Sequence, residues 1–422
     1  MRDDKTISYL KERYISKFGK EPGYLFSSPG RIELLGNHTD HNHGKVLVSS
    51  INLKVLAVVG ERDDDKVVVF SKGYKKIEIN INDLDIREEE FGKSIGIVRG
   101  TLAKFKELGY KIGGFNVICA SSIYSGAGVS SSAAFEVLFG KILSVLFNDN
   151  KVKQLELAKI AQFTEMVYFN KPCGLLDQAG IAFGGVNYID FRSLKNPKIK
   201  HLNLTNDNYI FIIINTGDSH STLTENYAEI KSDMKEIANH YGVEVLRDVD
   251  AKDFFRDKKL LISKYGERKV LRAKHFFEEN KRVSTALNCL IKDDFEGFLK
   301  MLDESGKSSY YQLKNCYVEN EEEKLPMALK YVKELVPECY SRVHGGGFAG
   351  TILMVIKKEK SRSIISNLKA HFGPENVTIV SLTKFGTSLL KKWINLKITL
   401  LNQKYWGSAA FLIGELYENW NL

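Results

Sequence analysis

The sequence predicts a two-domain α+β protein, and three observations lead there. Apolar runs with a period near two occupy much of the first half, at 45–61, 66–71 and 75–81, separated by Gly- or Asp-rich breaks. The second half opens on a buried-strand pattern, Tyr209 to Asn215, and is mostly helical from 221 to 336. Composition changes near residue 205, which sets the boundary between a first domain over 1–205 and a second that begins at 206.

Length and composition agree with that reading. A chain of 422 residues buries a large core, and 43% hydrophobic with 27% charged residues is the usage of ordinary globular proteins. The net charge of +9 is dispersed among acidic residues and forms no stripe interleaved with aromatics, so nucleic acid is not an expected partner. Five cysteines, odd in number and without a CxxC pair, fit a reducing cytoplasm. The N-terminus, MRDDKTISYLKERY, is charged and lacks the apolar core of a secretory signal. No stretch approaches the roughly 18 apolar residues of a membrane span, so no membrane partner is expected.

In chain order, an N-terminal helix leads to the polar cluster Ile32 to Gly44, which no core would need. After the period-two runs come a helix at 95–108 and an apolar strand at 115–120. The stretch Ser122 to Glu136, SIYSGAGVSSSAAFE, then turns a loop into a helix running to Phe147. Gly126, Ala127 and Gly128 let the main chain approach an anion closely. Ser130, Ser131 and Ser132 open the helix, whose N-terminal amides and dipole favour negative charge. Neither a Walker A loop nor GxGxxG is present, so the pattern indicates phosphate without naming a family. A helix near 152–168 ends before Asn170-Lys-Pro-Cys-Gly-Leu-Leu-Asp-Gln178, where Pro172 and Gly174 oppose continuation. A third glycine motif, Arg342 to Gly350, precedes an apolar strand at 351–356 and implies close backbone approach at a site or junction.

Taken together, SPGRIELLGNHTDHNHG at 28–44, SGAGVSSSAA at 125–134, CGLLDQ at 173–178 and RVHGGGFAG at 342–350 resemble the galactokinases, within the GHMP superfamily of sugar and small-alcohol kinases. The resemblance covers roughly 20–388 and implies a two-domain GHMP kinase fold with its active site in the interdomain cleft; since the family usually stops near 390, it implies a second domain over 206–388 and a C-terminal extension over 389–422. It implies that Ser125, Gly126, Ala127, Gly128, Val129, Ser130, Ser131 and Ser132 wrap the phosphates of ATP, and that Ser132 and Glu165 bind Mg²⁺. Asp177 would face the sugar's anomeric hydroxyl with Arg31 beside it, while Asn37, His38, Asp40, Gly174 and Tyr227 hold the hexose. The implied reaction is the conversion of ATP and α-D-galactose to galactose 1-phosphate and ADP, by a monomer or homodimer. Alternatives are a kinase for galacturonate or N-acetylgalactosamine and a non-catalytic galactose sensor.

The residues allow blander roles, with Asp177 as a helix cap and Glu165 as a solvated helix residue. The His38, Asp40, His41, His43 cluster invites zinc, but no further His or Cys group stands at a recognisable spacing. One departure concerns the sugar: the family's first motif carries Asn where Glu33 stands and Glu where Asn37 stands. The exchange is either a compensated pair on one face of an extended segment or a change in how the sugar's C6 group is read, since an amide both donates and accepts.

Overall fold

The computed structural model describes residues 2–123, 128–204, 207–217, 224–318, 324–348 and 350–393. Its first part contains α1 (Arg2–Phe18), β1 (Tyr24–Leu35), β2 (Lys45–Glu61), β3 (Lys66–Ser71), β4 (Ile77–Asn80), α2 (Ser94–Glu107), β5 (Phe115–Ser121), α3 (Ser131–Phe147), α4 (Gln154–Val167), α5 (Leu176–Phe183), β6 (Val186–Asp190) and β7 (Lys198–Leu202). Then follow β8 (Tyr209–Asn215), α6 (Thr224–His240), α7 (Ala251–Tyr265), α8 (Glu267–Ile291), α9 (Phe295–Ser308), α10 (Lys324–Leu335), β9 (Tyr340–His344), β10 (Thr351–Lys357), α11 (Ser361–Phe372), β11 (Val377–Val380) and β12 (Ser388–Lys392).

Two sheets organise these elements. The larger runs β12-β1-β2-β5-β3-β4, with β6 paired to β2 and β7 to β6; the smaller runs β11-β8-β10-β9. All pairings are antiparallel except β3 with β5. The expected runs at 45–61, 66–71 and 209–215 coincide with β2, β3 and β8. The strand β1 is not among them, because Pro29 and Gly30 interrupt it. Its register with β2 shifts between Pro29 and Arg31, and Pro, with no N–H to give the ladder, is tolerated at such a bulge. The Arg31 N–H donates to the Val129 carbonyl at 3.1 Å, so the irregularity turns Arg31 toward the start of α3.

The segment expected as an extension begins inside the large sheet, as β12 on the edge of β1. Residues 394–422 and the boundary positions 205–206 lie outside the described residues.

One apolar core joins the sheets. Phe26, Leu47, Val117, Phe139 and Leu157 from the first part share it with Phe298 and Leu302 of α9 and with Phe211, Ile213, Leu353 and Val355 of the small sheet. The opposite face of that sheet, Ile212, Ile214, Ile352 and Met354, packs with Leu325 and Val332 of α10 and Leu368 of α11. Both faces of β8 and β10 are therefore covered, which is why they read as continuous apolar runs. A separate cluster ties α6, α7 and α8 together through Met234, Phe254 and Phe276. Another seats α1 on the large sheet through Leu10 and Tyr14.

Phe298 is fully buried where α9 meets the shared core. Replacing it with alanine removes a large apolar side chain from close-packed surroundings, and Phe298→Ala is expected to lower unfolding free energy by about 3–5 kcal/mol in denaturant titrations. A loss under about 1 kcal/mol would mean that α9 is peripheral to this core.

Candidate active site

The site begins where β1, the start of α3 and the first turn of α5 converge. Arg31 is 4% exposed, and its guanidinium grips Asp177 bidentately, Nε to Oδ1 at 2.7 Å and Nη2 to Oδ2 at 2.8 Å. Its Nη1 donates to the Gly128 carbonyl at 2.7 Å. The Ser130 hydroxyl donates to the same carboxylate, and Ser130 reaches it from a left-handed backbone conformation, φ 61°. A non-glycine residue held there carries strain of the kind that collects at functional sites. Burial acts to raise the Asp177 carboxyl, but the charge and hydrogen bonds of Arg31, with Ser130 and Lys171, outweigh it and hold the group below the ordinary carboxylate range. Asp177 is thus an ionised acceptor, one-third exposed, beside a permanent cation.

Next to it lies an oxygen-rich cluster. The Ser132 hydroxyl donates to Glu165 Oε1 at 3.0 Å, and the Lys171 ammonium reaches that oxygen at 3.0 Å. Gln178 Nε2 donates to Glu165 Oε2 at 2.5 Å and to Glu136 Oε2 at 3.3 Å. Among the described residues no group of three or more His, Cys, Asp or Glu side chains gathers to hold a metal ion. A hard cation that retains water and binds substrate phosphate needs only one or two protein oxygens, however, and a hydroxyl beside a carboxylate is the donor chemistry that fits Mg²⁺. Ser132, half-buried on the first turn of α3, and Glu165, buried on α4, present that pair.

The third glycine motif supplies a row of carbonyls on the other side. The Gly345 carbonyl accepts Asn37 Nδ2 at 2.8 Å, that of Gly346 bonds His38 Nε2 at 2.8 Å, and that of Gly347 accepts the Tyr227 hydroxyl at 3.0 Å. The Tyr227 ring stacks on His38, with centroids 6.3 Å apart. A Cβ on Gly346 would strike that ring, so a side chain there is excluded. Asp40 accepts the N–H groups of His41 and Leu176, and a Cβ on Gly174 would enter its carboxylate. Gly174 therefore lets the Asp177 loop approach the HTD segment.

The exchanged pair of the first motif is joined directly. Asn37 Nδ2 donates to Glu33 Oε2 at 3.3 Å, and Arg342, fully buried, pairs with Glu33 Oε1 at 2.6 Å. The Asn37 Oδ1 accepts from Ser309 at 3.2 Å and from Asn315 at 2.8 Å. All four hydrogen-bonding positions of this amide are engaged within the protein, and Asn37 is 1% exposed. The geometry matches the compensated pair: Asn37 braces the turn that carries His38, and contact of its side chain with a sugar would require one of these bonds to be given up.

Of the residues expected from sequence, Arg31, Asp177, Ser130, Ser132 and Glu165 come together, as do Asn37, His38, Asp40, Gly174 and Tyr227. Val129 is buried and contributes its carbonyl to Arg31, while Ser131 is exposed at the helix start. Ser125, Gly126 and Ala127, expected in the phosphate loop, lie outside the described residues. Sequence reasoning missed Lys171, Gln178, Asn315 and Arg342 as members of the site. Two of these sit within quoted motifs, Gln178 in CGLLDQ and Arg342 in RVHGGGFAG.

Comparisons with known proteins bear on this arrangement. A galactokinase galactose-binding signature matches residues 12–61, and the N-terminal domain of GHMP kinases matches 96–185. The chain is 30% identical over 367 residues to the galactokinase of Lactobacillus helveticus, an alignment covering 85% of this chain and 92% of that protein. It is 29% identical over 370 residues to the galactokinase of Clostridium tetani, covering 85% and 90%. Its fold superposes on the crystal structure of Lactococcus lactis galactokinase complexed with galactose with a TM-score of 0.80 at 24% identity, over 91% of this chain and all of that one.

Burial holds the imidazoles at the site neutral. The largest effect on His38, and on His275 of α8, whose Nε2 bonds the Asn37 carbonyl at 2.9 Å, is loss of hydration, which pulls both down to about 4. Folding thereby favours the neutral ring, a contribution present above the ordinary value near 6.5 and lost as pH falls toward about 4. In a histidine-labelled NMR titration, the His38 and His275 rings are expected to stay neutral from pH 8 to about 5. Midpoints near the ordinary value of about 6.5 would contradict the buried, neutral assignment.

Proposed function

Because the chain belongs to the galactokinase family, we propose that it transfers the terminal phosphoryl group of ATP to the anomeric hydroxyl of α-D-galactose, yielding galactose 1-phosphate and ADP. The observation that carries this reading is the bidentate Arg31–Asp177 pair set against the first turn of α3. Phosphoryl transfer passes through a loose transition state, so catalysis is chiefly positioning and charge stabilisation. Asp177, held ionised, orients the sugar hydroxyl and accepts its proton late in the transfer. Arg31, which does not deprotonate, offsets charge building on the transferred group. The amides opening α3 and the Gly128–Ser132 turn receive the nucleotide's phosphates. Ser132 and Glu165 would hold Mg²⁺, which would supply positive charge to offset that of the nucleotide's phosphates.

On the sugar side, His38, Asp40, Gly174 and Tyr227 line the hexose, and Asn37 acts by fixing the turn before His38. The carbonyl row of Gly345 to Gly347 supports this reading, since it bonds Asn37, His38 and Tyr227 at once. No helix among the described residues is long and apolar enough to cross a membrane. All five cysteines are free thiols, which supports a reducing, cytoplasmic setting, where we place the enzyme as a monomer or homodimer.

Asp177→Asn preserves shape while removing the proton acceptor. Its kcat is expected to fall on the order of 10²–10⁴-fold, with galactose and ATP affinities retained in calorimetric titrations. A folded Asp177→Asn protein with wild-type kcat would remove Asp177 from the mechanism. Wild-type protein that binds both substrates yet never releases ADP in excess of itself would show that it is a sensor.

A further inference from the structure

A second carboxyl group lies behind the Ser132–Glu165 pair. Glu136 follows Ser132 by one helical turn on α3 and is fully buried on an otherwise apolar stretch of that helix. Burial first, and the charge of Glu165 next, push its carboxyl well above the ordinary range. One of its oxygens accepts the Gln178 amide, whose same nitrogen donates to Glu165 Oε2. Its other oxygen, and the amide oxygen of Gln178, have no hydrogen-bond partner among the described residues. A buried carboxyl that is only partly satisfied costs stability relative to an apolar residue of the same size. Nothing in the packing of α3 calls for it, since its neighbours Ala133, Phe135, Val137 and Phe139 fill the core without polar help.

We propose that Glu136 is a positioning residue of the cation site: it fixes the Gln178 amide, which ties down Glu165 Oε2 and leaves Glu165 Oε1 turned toward Ser132. Each link in this chain is a hydrogen bond already stated, and each reduces the freedom of the carboxylate that would meet the ion. Partners behind a ligating carboxylate govern its orientation, and their loss typically weakens metal binding about 10–100-fold. The inference rests on the reading of Ser132 and Glu165 as cation ligands.

The test uses the whole chain saturated with galactose, Mn²⁺ as an ion suited to the same oxygen ligands, and AMPPNP as a non-hydrolysable nucleotide, with bound Mn²⁺ read by electron paramagnetic resonance. Glu136→Leu, of similar size but without an acceptor, is expected to weaken Mn²⁺–AMPPNP binding about tenfold or more while affinity for metal-free AMPPNP is unchanged. Glu136→Gln keeps an acceptor oxygen and is expected to restore most of the affinity. Gln178→Leu, which removes the bridging amide, is expected to reproduce the loss and decides the matter if Glu136→Leu does not fold. Wild-type Mn²⁺–AMPPNP affinity in Glu136→Leu or Gln178→Leu, or an equal loss in Glu136→Gln, overturns the inference. Glu165→Ala, measured alongside, separates the two levels of argument. A loss there without one at Glu136 or Gln178 overturns this inference alone, and no loss there overturns the cation reading on which it rests.

Discussion

Arg31 is buried in β1, which lies between β12 and β2 in the large sheet, and its guanidinium must be matched where it lies. It bonds both oxygens of Asp177 and the Gly128 carbonyl, and so fastens β1 to the loop before α3 and to the first turn of α5. Three stretches far apart in sequence are held in register by one side chain. The register shift between Pro29 and Arg31, after which Arg31 faces Ser50 of β2, the left-handed Ser130 that reaches Asp177, and the lowering of the Asp177 carboxyl all accommodate that pair. Lysine could not substitute, because a point charge would not span two carboxylate oxygens and a carbonyl in one plane.

A second buried charge performs a related task at the junction of the two sheets. Arg342 of β9 is fully buried and bonds Glu33 and the Leu34 carbonyl of β1, while the His344 ring accepts the Glu33 N–H. Burial works to raise the Glu33 carboxyl and Arg342 works against it, so neither charge is tolerable without the other. Asn37 completes the junction by bonding Glu33, Gly345, Ser309 and Asn315. Ser309 opens a π-helical turn over Ser309–Leu313, an irregularity that occurs often at functional sites. The exchange of Asn and Glu relative to the family's motif thus keeps one carboxylate and one amide in mutual contact and places the carboxylate where Arg342 can neutralise it.

Much of this was legible in the sequence, for identifiable reasons. Period-two apolar runs located β2 and β3, and a continuous apolar run located β8, which is covered on both faces. The loop-to-helix turn at 128–132 was readable because small residues and hydroxyls before an apolar helix leave few structural explanations. The strand β1 was hidden by Pro29 and Gly30, whose irregularity serves Arg31 and violates strand propensity. Asn315 and Arg342 were hidden because their roles depend on partners 278 and 309 residues away, which no local pattern reports; Lys171 lies only six residues from Glu165, but beyond the end of α4, so helical spacing does not pair them. Glu136 carried a signal that went unused: the one acidic residue of an otherwise largely apolar helix, four residues after Ser132.

The central claim is that Asp177 and Arg31 meet the anomeric end of galactose in front of the nucleotide's terminal phosphate. A crystal structure of the ternary complex with galactose and AMPPNP tests it most directly. The anomeric oxygen is expected within hydrogen-bond distance of the Asp177 carboxylate, about 2.6–3.2 Å, with the terminal phosphoryl group in line behind it and Arg31 still paired with Asp177. A sugar bound with its anomeric carbon turned away from Asp177, or a nucleotide whose phosphates lie away from the start of α3, would contradict it.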